Sequence, residues 1–239
     1  MNSPELAKAG LGRRAVAEAL GTALLLAAVV GSGIMGERLA GGNIAIALLA
    51  NTLATGAALV VLILVFGEFS GAHFNPVVSW IESLSGAGPW KDAGLYAAAQ
   101  VLGAFGGVAA AHAMFGEPLF AASTHERAGF AQAFSEFVAT FGLVTTILWC
   151  ARFRPKSVPF AVGAYITSAY WFTASTSFAN PAVTLARSMT DTFSGIRPLD
   201  APGFLLAQFA GGLAAWGAFR GLAASRSQGR VHRRGPENP

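Results

Sequence analysis

Two stretches decide the fold: GEFSGAHFNPVVSWIESLSG at residues 67–86 and ASTSFANPAVTLARSMT at residues 174–190. Each carries an Asn-Pro pair, Asn75-Pro76 and Asn180-Pro181. Asn is a favoured helix N-cap and Pro is favoured at the first helical position, so each pair starts a helix at the motif. The moderately apolar run that follows supports a helix of about ten residues, about 15 Å long at 1.5 Å per residue, or half of a roughly 30 Å hydrocarbon core. Half-length helices occur at membrane depth only where they are buried in protein or line an aqueous path.

The rest of the chain fits that setting. Of 239 residues, 54% are hydrophobic and only 12% charged; a soluble domain carries about 25% charge. Six apolar runs, at 15–35, 43–66, 92–115, 129–150, 157–173 and 202–222, are the candidates for spanning helices. The expected fold is therefore an all-α membrane protein with six transmembrane helices and two re-entrant half-helices. Residues 1–14 form a short polar segment with no sign of a removable signal peptide. A channel domain covers 15–222, and 223–239 form a basic, disordered tail.

An even number of spans puts both termini on one side. That side holds Lys8, Arg13, Arg14, Lys91, Arg152, Arg154, Lys156, Arg220, Arg226, Arg230, Arg233 and Arg234, against Arg38, Arg127, Arg187 and Arg197 on the other. The excess predicts cytoplasmic termini. The net charge of +4 thus reflects topology, not nucleic-acid binding. The single cysteine, Cys150, allows no internal disulfide and no metal cluster. It reads as a small buried hydrophobe.

Three anchors recur in the two halves, about 15–115 and 129–222. Ala17-Glu18 matches Ser135-Glu136, Asn75-Pro76 matches Asn180-Pro181, and Ala99-Gln100 matches Ala207-Gln208, at offsets of 118, 105 and 108. Each half has three spans, so the second inserts upside down. Inverted repeats place a permeation site at the midplane. There the N-termini of two opposed half-helices concentrate positive potential, about half a charge each, which disfavours cations and protons. Each Asn oxygen can cap its own helix while its amide donates to a passing neutral oxygen.

A paired Asn-Pro in this register resembles the aquaporin, or major intrinsic protein, family. AEALGT at 17–22, SGAHFNPVV at 70–78 and FANPAV at 178–183 carry the resemblance, which spans about 15–222. It implies a passive homotetrameric channel in the lipid bilayer, conducting water or small neutral solutes, without cofactor or metal. In a bacterium it would lie in the inner (cell) membrane. The central constriction would comprise Asn75, Pro76, Val77, Asn180, Pro181 and Ala182. The first triplet ends in Val77 instead of alanine, which adds two methyls beside the constriction. Val183 stands where most members carry the arginine of the outer filter. With Thr55, Ser177 and Tyr170 it would form a wider, less cationic filter that admits glycerol-like polyols or undissociated arsenite. That combination looks like a bacterial aquaglyceroporin branch associated with arsenic resistance. Glu18 and Glu136 would bond backbone N–H groups of the re-entrant loops, with a proton relay as the alternative.

Arg187 would either create a positive outer vestibule or pair with Asp191 four residues on. His73 would be a pH-sensitive gate or a loop tether. His112 and His125 take no function. Gly103, Gly106, Gly107, Gly211 and Gly212 suit close helix packing. Secondary transporters also use inverted repeats and broken helices; here only Glu18 and Glu136 could couple an ion. A purely structural membrane protein fits the short outer loops less well, and no nucleophile–base set or metal cluster points to an enzyme.

Overall fold

The computed structural model describes residues 10–231. Eight α-helices follow in order: α1 Leu11–Leu39, α2 Ile44–Ser70, α3 Pro76–Leu84, α4 Trp90–Phe115, α5 Phe130–Phe153, α6 Val158–Phe172, α7 Pro181–Arg187 and α8 Ala201–Val231. The described residues contain no strand. Helices α1, α2, α4 and α5 are each long and apolar enough to cross a membrane. Helix α6, with 15 residues, extends only about 22 Å at 1.5 Å per residue.

Local chemistry sets the boundaries. Asn43 caps α2, its side-chain oxygen accepting from the N–H groups of Ala45 and Ile46. Gly71, at φ 90°, closes α2 in the left-handed region that only glycine adopts without strain. Helix α8 does not stop at 222: it continues to Val231, so the first part of the tail expected to be disordered is helical. Residues 232–239 of that tail lie outside the described residues, as do residues 1–9.

In each half the first and third spans pack most extensively, α1 on α4 and α5 on α8. The cause is visible in the glycines. A Cβ on Gly103 or Gly107 would strike the carbonyl oxygens of Ala19 or Ala23 on α1, and one on Gly211 would strike that of Phe137 on α5. Without a hydrophobic drive between helices in lipid, such close backbone approach supplies the packing. Gly212 instead makes room for Val77. Gly106 faces open space, so the packing role expected of it is not found. Helix α2 crosses to α6 and joins the halves.

The two faces of the bundle differ. The terminal face carries the start of α1 and the end of α8; there Arg14 bonds Asp92 of α4 at 2.6 Å. On the opposite face Arg38 bonds Glu117 at 2.7 Å, tying α1 to the loop after α4. Large apolar side chains such as Leu20, Leu24, Leu102 and Leu206 stay exposed around the bundle, as suits helices surrounded by lipid or by other subunits. Cys150 is half-buried and packs against the core.

Candidate functional site

The two re-entrant loops meet inside the bundle. Helix α3 has nine residues and α7 seven, both slightly shorter than the sequence suggests. Asn75 accepts the N–H of Val77 at 3.0 Å; Asn180 accepts those of Ala182 at 3.0 Å and Val183 at 3.4 Å. The caps form as the Asn-Pro chemistry dictates. The amide nitrogens do more than face a lumen. Asn75 donates to the carbonyl oxygen of Ala179 at 2.8 Å, and Asn180 to that of Phe74 at 2.7 Å. These reciprocal bonds fasten one half-helix to the other. A primary amide has two N–H donors, so each asparagine keeps one beyond this cross-link.

Two buried carboxylates hold the loops. Glu18 accepts from the N–H groups of His73 at 3.0 Å and Phe74 at 2.7 Å, from Ser70 Oγ at 2.6 Å and from Gln100 Nε2 at 2.7 Å. Glu136 accepts from the N–H groups of Phe178 at 2.9 Å and Ala179 at 2.8 Å, and from Gln208 Nε2 at 2.6 Å. Gln100 also reaches Ser79 on α3, and Gln208 reaches Thr184 on α7. The symmetry extends to the backbone. Ala72 and Phe74, and 105 residues later Ser177 and Ala179, all have φ between 48° and 51°. Non-glycine residues adopt that region only under constraint, and the carboxylate anchors supply it.

A cavity of about 190 Å³ runs past this junction, and Asn75 and Asn180 line it. Thr55, Tyr170, Ser177 and Val183 line it too. Tyr170 donates to Thr55 Oγ1 at 3.4 Å. Pro76, Val77, Pro181 and Ala182 are buried but are not among the residues lining the cavity. Val77 in particular turns away from the path: it packs with Ile81, Val144 and Ala215, over Gly212. The two extra methyls therefore fill a gap between helices instead of flanking the constriction. The corresponding place in the second half is Ala182, and the α4 residue that corresponds to Gly212 is Ala104. A large–small pair in one half matches a small–small pair in the other.

The sequence leaves Arg187 two roles, a positive outer vestibule or a pair with Asp191, and the structure rules out the second. Arg187 does not pair with Asp191, whose carboxylate accepts from the N–H and hydroxyl of Thr124 at 2.8 and 2.9 Å. The Arg187 guanidinium turns inward, is only 2% exposed, and lines the cavity with Val183 and Ser177. Its Nε donates to the Ser194 carbonyl, and its carbon lies 3.4 Å from the centre of the Phe178 ring. On the terminal face His73 Nε2 sits 3.0 Å from Glu82 and Nδ1 3.0 Å from Ser79 Oγ, with the ring packed edge-on to Tyr96. His73 and Glu82 also line the cavity. The sequence reading passed over Glu82, although it stands 105 residues before Arg187, the offset of the Asn-Pro motifs. His112 bonds Thr190 at 2.7 Å and, with His125 beside Asp191, belongs to the scaffold of the opposite face.

The comparisons with known proteins agree with this geometry. The family model "Major intrinsic protein" matches residues 5–156. An aquaglyceroporin, AqpS, of Rhizobium meliloti (strain 1021) is 58% identical over 212 residues, covering 89% of this chain and 91% of the relative. The aquaporin NIP6-1 of Arabidopsis thaliana is 31% identical over 158 residues, 64% of this chain and 51% of the relative. The solved structure of the aquaglyceroporin from Plasmodium falciparum superposes with a TM-score of 0.69 at 24% identity, covering 87% of this chain and 94% of that one; at that identity it speaks for the fold. The chain belongs to the major intrinsic protein family, in its bacterial aquaglyceroporin branch, and is a membrane channel for water and small solutes, not an enzyme.

Proposed function

We propose that the channel passes glycerol-like polyols and undissociated hydroxides such as arsenite, together with water, and excludes ions and protons. One observation carries this reading: Asn75 and Asn180 cap opposed half-helices, bond to each other's loops, and line one cavity. A neutral oxygen can accept from the remaining amide donors, while the two positive helix ends oppose cations. Asn75-Pro76-Val77 and Asn180-Pro181-Ala182 build that constriction. Asn75 and Asn180 form its wall, and the other four residues fix their positions. Thr55, Tyr170, Ser177 and Val183 form the outer filter. Val183 brings no guanidinium of its own, and its small side chain favours solutes larger than water; the Arg187 guanidinium lines the same cavity, so the filter is not the less cationic one that the sequence suggests. Glu18 and Glu136 support the loops. The subunits assemble as a homotetramer in the bacterial inner membrane with the terminal face cytoplasmic, as the Lys and Arg excess on that face implies.

The test is stopped-flow light scattering on proteoliposomes challenged in turn with sucrose, glycerol and undissociated arsenite. Glycerol and arsenite flux that rises linearly with gradient, without cation current in planar bilayers, is the expected result. Saturable, ion-coupled flux would indicate a transporter, and robust cation current would overturn the exclusion. Light scattering of the purified protein should give the mass of four protomers.

A further inference from the structure

The 105-residue offset carries Asn75 onto Asn180, Ser79 onto Thr184, His73 onto Phe178 and Glu82 onto Arg187. The repeat thus places a His–Glu pair at one end of the cavity and a Phe–Arg pair at the other, and all four residues line it. The ends are not equivalent electrically. Glu82 has a hydrogen-bonding partner in His73 at 3.0 Å. Arg187 has an aromatic ring, which attracts a cation but does not neutralise it.

Arg187 donates from Nε to the Ser194 carbonyl. Its two terminal nitrogens have no hydrogen-bond partner, and no carboxylate forms an ion pair with it, among the described residues. The nearby acids are committed elsewhere: Glu136 to Phe178, Ala179 and Gln208, and Asp191 to Thr124. A second guanidinium, Arg127, lies 5.1 Å from the centre of the same Phe178 ring and donates only to the carbonyls of Gly195 and Ser175. Around Phe178 two cations therefore face one buried carboxylate. Two hydroxyls of this region, on Ser177 and Ser194, are buried without a partner; Ser177 directly precedes Phe178, the ring under the Arg187 guanidinium, and lines the same cavity as Arg187. A buried charge and buried hydroxyls left without partners are costly.

We propose that Arg187, assisted by Ser177, is a binding site for a small monovalent oxyanion, which seats in the outer half of the conduit and blocks it. The terminal nitrogens of a guanidinium form a flat fork that fits two oxygens of a planar anion, and a serine hydroxyl can donate to an oxygen beside them. The cavity of about 190 Å³ admits an anion of nitrate size. Passage is another matter: Val29, Leu59, Ile63 and Val162 wall the conduit, and Glu82 carries like charge at the far end. The anion therefore binds and stays. This inference rests on the channel reading, since block is its functional consequence.

The experiment replaces sodium chloride by sodium nitrate at constant ionic strength and osmolarity, with glycerol flux measured in proteoliposomes by stopped-flow. Nitrate should lower wild-type flux in a saturable way. Arg187→Gln should lose the effect, and Arg187→Lys, which keeps the charge but not the fork, should weaken nitrate binding about tenfold. Thermal unfolding of the solubilised tetramer supplies a readout independent of transport: nitrate over chloride should raise the wild-type Tm but not that of Arg187→Gln. Equal flux and equal Tm in the two salts would overturn the site. So would nitrate inhibition that persists in Arg187→Gln, or in Arg187→Lys at undiminished affinity. If wild-type protein passes no glycerol, the channel reading fails separately, and the Tm comparison still decides whether the anion binds.

Discussion

At the scale of single residues, the two asparagines each do two jobs with one amide. The oxygen caps a helix and the nitrogen clamps the opposite loop. Asn75→Asp or Asn180→Asp keeps the cap, because Asp caps about as well. It loses the clamp and sets a carboxylate against a carbonyl. Each variant should lose about 1–3 kcal/mol in stability, the usual cost of an unsatisfied buried group, and should leak protons. Thermal unfolding and an internal pH dye in proteoliposomes measure both effects. Undiminished proton exclusion in the two single variants and the double variant would show that the motifs are not the barrier. Val183 offers a second residue-scale test. Val183→Arg places another guanidinium in the cavity that Arg187 already lines. Glycerol flux should fall far more than water flux, and a glycerol-to-water ratio that holds or rises would count against the wide-filter reading.

At the scale of elements, the contact between α3 and α8 depends on a size match. Val77 occupies the space that a Cβ on Gly212 would take. Gly212→Ala should overpack this contact and destabilise the protein by about 1–3 kcal/mol. Val77→Ala in the same chain should recover most of the loss, since it removes the opposing methyls. Denaturation of the two single variants and the double variant measures the coupling, and simple additivity would mean that the two residues do not share the space. Gly103 lacks such an escape, because its Cβ would meet the main-chain oxygen of Ala19. A backbone atom cannot be trimmed, so no single side-chain truncation should rescue Gly103→Ala.

At the scale of the whole molecule, loops on the opposite face lock the second half-helix to the rest of the chain. Asp191 holds Thr124, while Asp200 bonds Arg197 and the N–H of Arg127. The N–H of Thr124 first, and then its hydroxyl, hold the Asp191 carboxyl below its ordinary range. For Asp200, burial pushes upward but the bonds from Arg197 and Arg127 outweigh it, so its carboxyl is lowered as well. A carboxylate with a lowered folded-state pKa contributes stability that is fully present above its unfolded value, about 3.9 for Asp, and is lost as pH falls through the folded value. The segments around 121–127 and 188–200 should therefore loosen only in acid below about pH 4, while the buried loop junction stays closed. Hydrogen exchange followed across pH would show protection lost first in these segments. Loss of protection between pH 5 and 7 would point to histidine instead.

Fold class and repeat plan can be read along the chain alone. Helix starts, apolar runs and the 105-residue spacing are local or periodic properties, written along the chain and legible without tertiary contacts. They located two half-helices, six spans and an inverted repeat, and through them the family. Side-chain direction was decided elsewhere. Val77 lies next to the first Asn-Pro pair in sequence yet turns to Gly212, because α8 presents a gap there. Arg187 could reach Asp191 along a helix, but α7 ends at Arg187 and Thr124 takes the carboxylate, so the guanidinium turns to Phe178 and the cavity. The pairing of His73 with Glu82 becomes visible only once α3 folds back beneath its loop. The continuation of α8 beyond residue 222 was hidden by the polarity of that stretch, which composition alone assigns to a tail. In each case the outcome depends on which neighbour the tertiary fold supplies, and that information is not contained in the residue's own stretch of chain.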